Sequence, residues 1–224
     1  MKTFAGKAID FYSDLRIETS LPPGLYTLNP YDNPDVQLIV RTFFTRFYDD
    51  RQERTVLLGI NPGRFGAGIT GITFTDPVRL ETFCQIPNPF EKRAELSSRF
   101  IYDVIAAYGG CQRFFKRFFL SAVSPLGFVR RGRNLNYYDD RDLENALGKF
   151  IESTLLNQLE LGIRRDKAIC LGEGKNLKFL EKLNRGMSLF REIIPLPHPR
   201  WVMQYRYKRK EDFIAAYLEV LQSI

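Results

Sequence analysis

Residues 59–66, Gly59-Ile60-Asn61-Pro62-Gly63-Arg64-Phe65-Gly66, combine small residues with one side-chain carboxamide. Small residues let backbone N–H groups approach a ligand closely, and the amide of Asn61 can place a water molecule or a substrate edge. The segment is neither a G-x-G-x-x-G fingerprint nor a P-loop, since no Gly-Lys-Ser/Thr follows. From these residues alone, an ordinary turn over Asn61-Pro62-Gly63 is an equally good interpretation.

His198 is the single histidine of the chain and stands between Pro197 and Pro199. Flanking prolines restrict the backbone, which suits a preorganised site. A histidine can donate a hydrogen bond to negative charge that develops on a leaving group. The competing interpretation is a histidine with a purely structural role.

Cations alternate with aromatic residues near the C-terminus, in Arg200-Trp201 and in Tyr205-Arg206-Tyr207-Lys208-Arg209-Lys210. A second basic segment is Arg130-Arg131-Gly132-Arg133-Asn134. Such patterns suit phosphates and stacked bases, although many are only solvated helix starts. The formal net charge of +7 and the isoelectric point near 9.3 also favour a polyanionic partner.

Four short apolar runs predict buried strands that position these segments; they span residues 55–58, 118–123, 168–171 and 192–196. Amphipathic helices are predicted between them, so the expected fold is α/β, with a mainly parallel four-stranded sheet flanked by helices. The glycine-rich loop 59–77, Ser124-Pro125 and the His198 turn each follow a strand. They should therefore meet at the carboxyl edge of the sheet, where ligands bind in such folds. Residues 130–138 are expected to form a loop.

The 224 residues suit one domain, 1–224, in which residues 1–28 form an N-terminal helical extension. The three cysteines show no C-x-x-C pair, so neither a disulfide framework nor a metal site is expected. They are expected to be buried apolar fillers, and Phe114, Phe115, Phe118 and Phe119 to be core residues. No apolar run is long enough to span a membrane, and the N-terminus lacks a signal-peptide core. We expect a cytoplasmic monomer that does not contact membranes.

Several motifs, in order, resemble those of the single-strand-selective monofunctional uracil-DNA glycosylases. Residues 58–66 and then Thr70-Gly71-Ile72-Thr73-Phe74 are similar to that family's G-M-N-P-G-P-F-G and T-G-V-P-F. Residues 119–126 resemble F-V-H-N-L-C-P-L, and residues 132–135 match G-R-N-L. Pro197-His198-Pro199-Arg200 resembles the start of H-P-S-P-R. The similarity runs from about Asn29 to the C-terminus and is greatest to a divergent bacterial branch.

The resemblance implies a uracil-DNA glycosylase fold, DNA as the partner and no cofactor. It assigns Asn61 to positioning the attacking water and His198 to donating to the base oxygen. Base contacts are expected from Gly63, Ala67, Phe74, Ala122 and Ser124, with Phe74 stacking under a base that has left the duplex. DNA contacts are expected from Arg133, Asn134, Arg200, Trp201, Lys208, Arg209 and Lys210.

Two departures from the family concern specificity more than catalysis. The family's base-reading asparagine aligns with Ala122, which offers no side-chain hydrogen bond. His198-Pro199-Arg200-Trp201 lacks the Ser-Pro of the usual motif, so the loop that fills the gap must differ. We therefore predict a DNA repair glycosylase that hydrolyses uracil and other deaminated bases, with xanthine as a candidate. The alternative is a non-catalytic binder of single-stranded nucleic acid on the same scaffold.

Overall fold

A computed structural model describes residues 2–224. Its strands are β1 Leu25–Leu28, β2 Arg54–Gly59, β3 Phe118–Ala122, β4 Gly127–Arg130, β5 Arg133–Leu135, β6 Ile163–Leu171 and β7 Glu192–Leu196. Its α-helices are α1 Phe4–Ser13, α2 Pro34–Tyr48, α3 Ala67–Thr70, α4 Pro77–Thr82, α5 Leu96–Tyr108, α6 Cys111–Arg117, α7 Arg141–Leu159, α8 Lys175–Met187, α9 Pro199–Tyr205 and α10 Lys210–Gln222. Short 3₁₀ turns cover Pro30–Asp32 and Tyr207–Arg209.

The predicted parallel sheet is confirmed, with strand order β3-β2-β6-β7. All three strand pairs are parallel, and Leu57 of β2 lies between Leu120 and Ile169. Every residue of β2 and β3 is buried. Continuous apolar strands of this kind are typical of a sheet that is covered by helices on both faces.

An aromatic cluster fills the space between the sheet and helices α1, α2 and α6. Phe115 packs edge-on against Phe43, and Phe119 packs against Tyr48 and Phe4. The prediction that the phenylalanines of residues 114–119 belong to the core is confirmed, because each is at most 1% exposed. Cys84 and Cys170 are buried as predicted, whereas Cys111 is half-buried.

A second, antiparallel sheet of order β1-β4-β5 was not predicted. Residues 130–138 were expected to form a loop, but β4 and β5 make a hairpin whose turn is Arg131-Gly132, with φ values of 49° and 70°. Two consecutive left-handed residues match the twist of a two-residue hairpin. Strands of three and four residues are too short to show the period-two pattern on which a sequence prediction depends.

The N-terminal segment is helical only in part. Helix α1 lies against α2 with Ala8 and Tyr12 buried, and the Phe4 N–H donates to Asp50 O at 2.7 Å. Residues 25–28, expected within a helical extension, instead form strand β1, because they pair with β4 along its whole length. The segment therefore contributes both core and sheet.

The long loop after β2 and the turn after β7 lie at the carboxyl edge of the parallel sheet, as predicted. His198 follows β7 directly and is the N-cap residue of α9. Within residues 2–224, no helix is long and apolar enough to cross a bilayer, and no cluster of three or more metal-ligating side chains occurs.

Candidate active site

A cavity of about 610 Å³ opens at the carboxyl edge of the parallel sheet. That volume is in the range of small-molecule sites. The predicted site residues that line it are Asn61, Gly63, Ala67, Phe74, Ala122, Arg133, Asn134, His198, Arg200 and Trp201. Residues separated by up to 140 positions in the chain thus meet in one cleft.

Phe74 forms one wall of this cavity, and the absence of a side chain at Gly59 leaves the space that its ring occupies. A Cβ atom at Gly59 would lie 2.6 Å from Cζ of Phe74, so only glycine allows the ring to lie against the end of β2. Phe74 itself has a φ of 57°, which is unusual for a bulky residue and costs conformational energy. The ring centroid lies 6.2 Å from that of His198. A planar base would find an aromatic face here.

The carboxamide of Asn61 is held from both sides. Its Nδ2 donates to Leu135 O at 3.1 Å and to Pro62 O at 3.3 Å. Its Oδ1 accepts from the Tyr137 N–H at 3.1 Å. A carbonyl oxygen has two lone pairs, so Oδ1 remains able to accept from a second donor in the cavity. The hairpin segment therefore fixes the direction in which Asn61 presents that oxygen.

Sequence reasoning missed the residues that support this arrangement. The Tyr137 hydroxyl donates to Asn176 Oδ1 at 2.8 Å, and Asn176 Nδ2 donates to Gly59 O at 3.4 Å. Both side chains are at most 2% exposed. They link α8 and the segment after β5 to the end of β2. No local signal marks these residues, because their partners lie far away in the chain.

The hydrogen bonding of His198 determines which of its ring nitrogens carries the proton. Its Nδ1 accepts from the Arg200 N–H at 3.2 Å, as the N-cap of α9. In a neutral imidazole the proton then resides on Nε2. Burial lowers the pKa of His198 to about 4, and the nearby Arg200 guanidinium lowers it further in the same direction. At neutral pH the residue is therefore an uncharged Nε2–H donor.

Glu95 lines the cavity and was also missed. It is half-buried, its backbone N–H donates to Asp76 Oδ2 at 2.8 Å, and its carboxyl group lies over the glycine-rich loop. Burial raises its pKa to about 7, opposed by Arg200 and supported by Asp76. Nothing in the sequence marks this residue, because packing against Gly63 and Gly66 is a tertiary contact.

The rim of the cavity is basic and partly aromatic. Arg64 donates to Gly132 O, and its N–H donates to Asn134 Oδ1 at 3.3 Å, so the β4–β5 hairpin is attached to the glycine-rich loop. Trp201 is 39% exposed and lies edge-on to Phe213, with the Arg206 guanidinium 4.9 Å from its ring centroid. These side chains could contact a polyanion at the mouth.

Ser124 was expected to contact the base, and the structure does not place it there. It is fully buried, it does not line the cavity, and its hydroxyl donates to Leu126 O at 2.9 Å. Strand β3 ends at Ala122, so the alternation of side chains does not extend to Ser124. Ser121 is also turned away, because its hydroxyl donates to Gln158 Oε1 at 2.6 Å. Neither serine replaces the missing asparagine.

Lys208, Arg209 and Lys210 were expected to contact DNA, but they do not line the cavity. Lys210 forms an ion pair with Asp103 at 2.9 Å, which ties α10 to α5. Arg209 pairs with Asp212 at 2.9 Å on the surface. If residues 208–210 contact DNA, they do so from the outer surface beyond α9. Lys210 is already paired with Asp103, which leaves Lys208 and Arg209 for such a contact.

A family model for the uracil DNA glycosylase superfamily matches residues 45–222. The match covers most of the chain, and the chain belongs to this superfamily. The predicted resemblance is confirmed, as are the enzyme class, a monofunctional DNA glycosylase that acts by hydrolysis, and DNA as its substrate.

Among solved structures, the crystal structure of wild-type Pedobacter heparinus SMUG2 is similar to this chain. The two are 44% identical, with a TM-score of 0.97 over 100% of this chain and 98% of the other. The predicted four-stranded fold is thereby confirmed. No curated protein sequence matches the chain at a significant level.

Proposed function

We propose that this uracil-DNA glycosylase hydrolyses the N-glycosidic bond of uracil and of at least one other deaminated base, such as xanthine, with water as the nucleophile. The orientation of His198 carries the proposal. An uncharged Nε2–H donor beside the aromatic wall of Phe74 is suited to a leaving base on which negative charge develops.

Asn61 is proposed to hold the attacking water. An amide does not titrate in the useful range, so its contribution is orientation rather than proton transfer. The hydrogen bond that Asn61 donates to Leu135 O and the one that it accepts from the Tyr137 N–H fix the group before substrate arrives. Among the lining residues in the described part of the chain there is no lysine. An amine nucleophile, which a lyase reaction through a Schiff base needs, is therefore not at hand.

The side chain of Ala122 makes no base-specific hydrogen bond, which supports activity on more than one base. Ala122 lines the cavity, and its backbone oxygen accepts from Gln158 Nε2 at 3.3 Å. A carboxamide at this position would pair with the uracil edge and would exclude other bases; alanine does neither. The cavity volume of about 610 Å³ is larger than a two-ring base needs, which supports xanthine as a further substrate.

Arg200 and Trp201 are proposed to enter the gap that a flipped base leaves in DNA. Both are exposed, and both line the mouth directly after His198. An inserted side chain offsets part of the stacking energy lost when the base leaves the helix. This role replaces that of the Ser-Pro loop which the chain lacks.

A panel of end-labelled oligonucleotides tests the proposal. Single-stranded and duplex forms carry uracil, hydroxymethyluracil, hypoxanthine or xanthine, and alkali converts each abasic site to a strand break. We expect release of uracil and of xanthine, and intact strands without alkali. Binding without breaks would support the non-catalytic alternative, and release of uracil alone would overturn the relaxed specificity.

A further inference from the structure

Glu95 is the only acidic side chain lining the cavity within residues 2–224. Two glycines of the loop after β2 leave the space that its carboxyl group fills. A Cβ atom at Gly66 would lie 2.1 Å from Oε2, and one at Gly63 would lie 3.3 Å from Oε1. The carboxyl group is thus packed against the segment that carries Asn61, two residues before Gly63.

The oxygens of this carboxyl group accept no hydrogen bond from the residues that the structure describes. The charged groups that face it are Arg200 at the start of α9 and Asp76 at the start of α4. Arg64 and Arg93, on the adjoining loops, lie over the Phe65 ring at 4.5 and 3.6 Å. His198 faces the same cavity in its uncharged form. An unpaired carboxyl in a binding cavity is free to interact with substrate or water.

Hydrolysis leaves one proton without an acceptor among the groups assigned so far. The attacking water must lose a proton as its oxygen bonds to C1′. Asn61 offers only an amide, which does not take up a proton in the useful range. His198 has its Nδ1 engaged by the Arg200 N–H, and its Nε2–H is the donor proposed above for the base. A carboxylate whose pKa is close to the working pH is well suited to this task.

We propose that Glu95 is a third catalytic residue, whose carboxylate takes the proton from the water that Asn61 orients. In this step the water oxygen forms a bond to C1′, the C1′–N bond breaks, and its electron pair leaves with the base. The water proton moves to Glu95, and the base anion is held by His198 until solvent protonates it. Glu95 then returns its proton to solvent. The inference rests on the proposed hydrolysis and adds the residue that completes its proton balance.

The test is the pH profile of single-turnover uracil release, with enzyme in excess over a single-stranded oligonucleotide, from about pH 5 to pH 9. For the wild type we expect the rate to fall about tenfold per pH unit below an apparent pKa near 7. Glu95→Gln should lower the plateau by about 100-fold and remove this acid limb. Glu95→Asp should keep the limb at a reduced rate. Glu91→Gln, an exposed carboxylate of the same segment, is the matched control and should follow the wild type.

Chemical rescue separates a proton acceptor from a structural group. Formate should restore part of the activity of Glu95→Ala without changing DNA affinity, measured by fluorescence anisotropy. Retention of the wild-type rate and acid limb by Glu95→Gln would overturn the inference. A wild-type rate that rises towards low pH, with no such rise in Glu95→Gln, would also overturn it. Absence of base release by the wild type at every pH would instead overturn the proposed function itself.

Discussion

The surroundings of an ionisable side chain differ at the two ends of strand β2. At the amino end, Arg54 is fully buried and all three of its guanidinium nitrogens donate hydrogen bonds: Nε to Phe115 O, and NH1 and NH2 to Asp50 at 2.8–2.9 Å. Its guanidinium also lies 4.7 Å from the ring centroids of Phe4 and Tyr48. At the carboxyl end, the carboxyl group of Glu95 is packed over glycines without such partners.

The two ends therefore contribute different properties: the paired arginine stabilises the fold, and the unpaired carboxyl group is available for chemistry. A buried ion that is completely paired holds neighbouring elements together, and removing its partner costs several kcal/mol. A half-buried carboxyl without hydrogen bonds destabilises the fold when it is ionised, but it retains the capacity to react. The amino end therefore joins α1, α2 and α6 to the sheet, and the carboxyl end holds reactive groups in place.

The largest effect on stability should follow from removing the buried guanidinium at the amino end of β2. We expect Arg54→Ala to lower the free energy of unfolding by about 3–5 kcal/mol, because Asp50 and the Phe115 carbonyl lose their partner. The catalytic rate per folded molecule should not change. Urea denaturation and single-turnover rates measure the two quantities. The control is Arg164→Ala, which removes an exposed pair with Asp166 and should cost about 1 kcal/mol or less. Equal losses in both variants would contradict the comparison.

Removing the polar side chains at the carboxyl end should cost less stability than Arg54→Ala and should remove activity. Asn61→Ala and His198→Ala should each raise the barrier to base release by about 2–4 kcal/mol, as expected for one preorganised group. Single-turnover kinetics measure the barrier, and DNA affinity should change little. Asn157→Ala, at an exposed site elsewhere, serves as the control. If both cavity variants cleave at nearly the wild-type rate, the assigned site is wrong.

Removing the charge at the carboxyl end should stabilise the protein, the reverse of Arg54→Ala. At about pH 8 the Glu95 carboxyl is ionised in both states and is penalised in the folded one, so Glu95→Gln should gain about 2–3 kcal/mol. As the pH falls from 7 towards 4.5, the folded state takes up a proton before the unfolded state does. Wild-type stability therefore recovers, and the difference between the proteins shrinks.

The pKa of His198, lowered to about 4, acts in the opposite direction over part of this range. Its effect is present in both proteins and cancels when their unfolding free energies are subtracted. Denaturant titrations at about pH 8 and pH 5 give the two differences. A gain of the same size at both pH values would show that Glu95 does not titrate near neutrality.

A smaller effect concerns the base specificity of the cavity at the carboxyl end of β2. Ala122→Asn should raise uracil excision relative to xanthine by about 1–3 kcal/mol, the range for one well-aligned bidentate base contact. The ratio of single-turnover rates on the two oligonucleotides measures it. Ser124→Ala should leave the ratio unchanged, because that hydroxyl is bonded to Leu126 O outside the cavity. A ratio that Ala122→Asn does not move would show that another group reads the base.

The smallest effect should come from charges beyond the cavity rim. Replacing Lys208 and Arg209 by glutamine should reduce the slope of log K against log salt by about one to two units, because fewer counterions are released. Arg185→Gln with Arg191→Gln, a pair of arginines near the start of β7, is the matched control. Anisotropy titrations at several salt concentrations give the slopes. Equal slopes for both double variants would place Lys208 and Arg209 away from the DNA.

Local pattern was sufficient for the elements that dominate the fold. The four parallel strands contain short apolar runs, so each was identified from neighbouring residues. The same holds for Asn61, Phe74 and His198, which lie in recognisable motifs after strands. The hairpin of β4 and β5 was missed, because its strands are short and its pairing with β1 joins residues about 100 positions apart.

The sequence by itself determined the class of protein, the parallel sheet and the residues at its carboxyl edge. Only the tertiary structure decided which of their atoms are free to act. Arg200 N–H sets the tautomer of His198, Tyr137 N–H fixes Asn61, and the bond to Leu126 removes Ser124 from the site. Glu95 depends most on the fold, since burial over Gly63 and Gly66 moves its pKa towards neutrality. Burial and hydrogen-bond partners arise from chain segments that meet only after folding, so no local pattern encodes them.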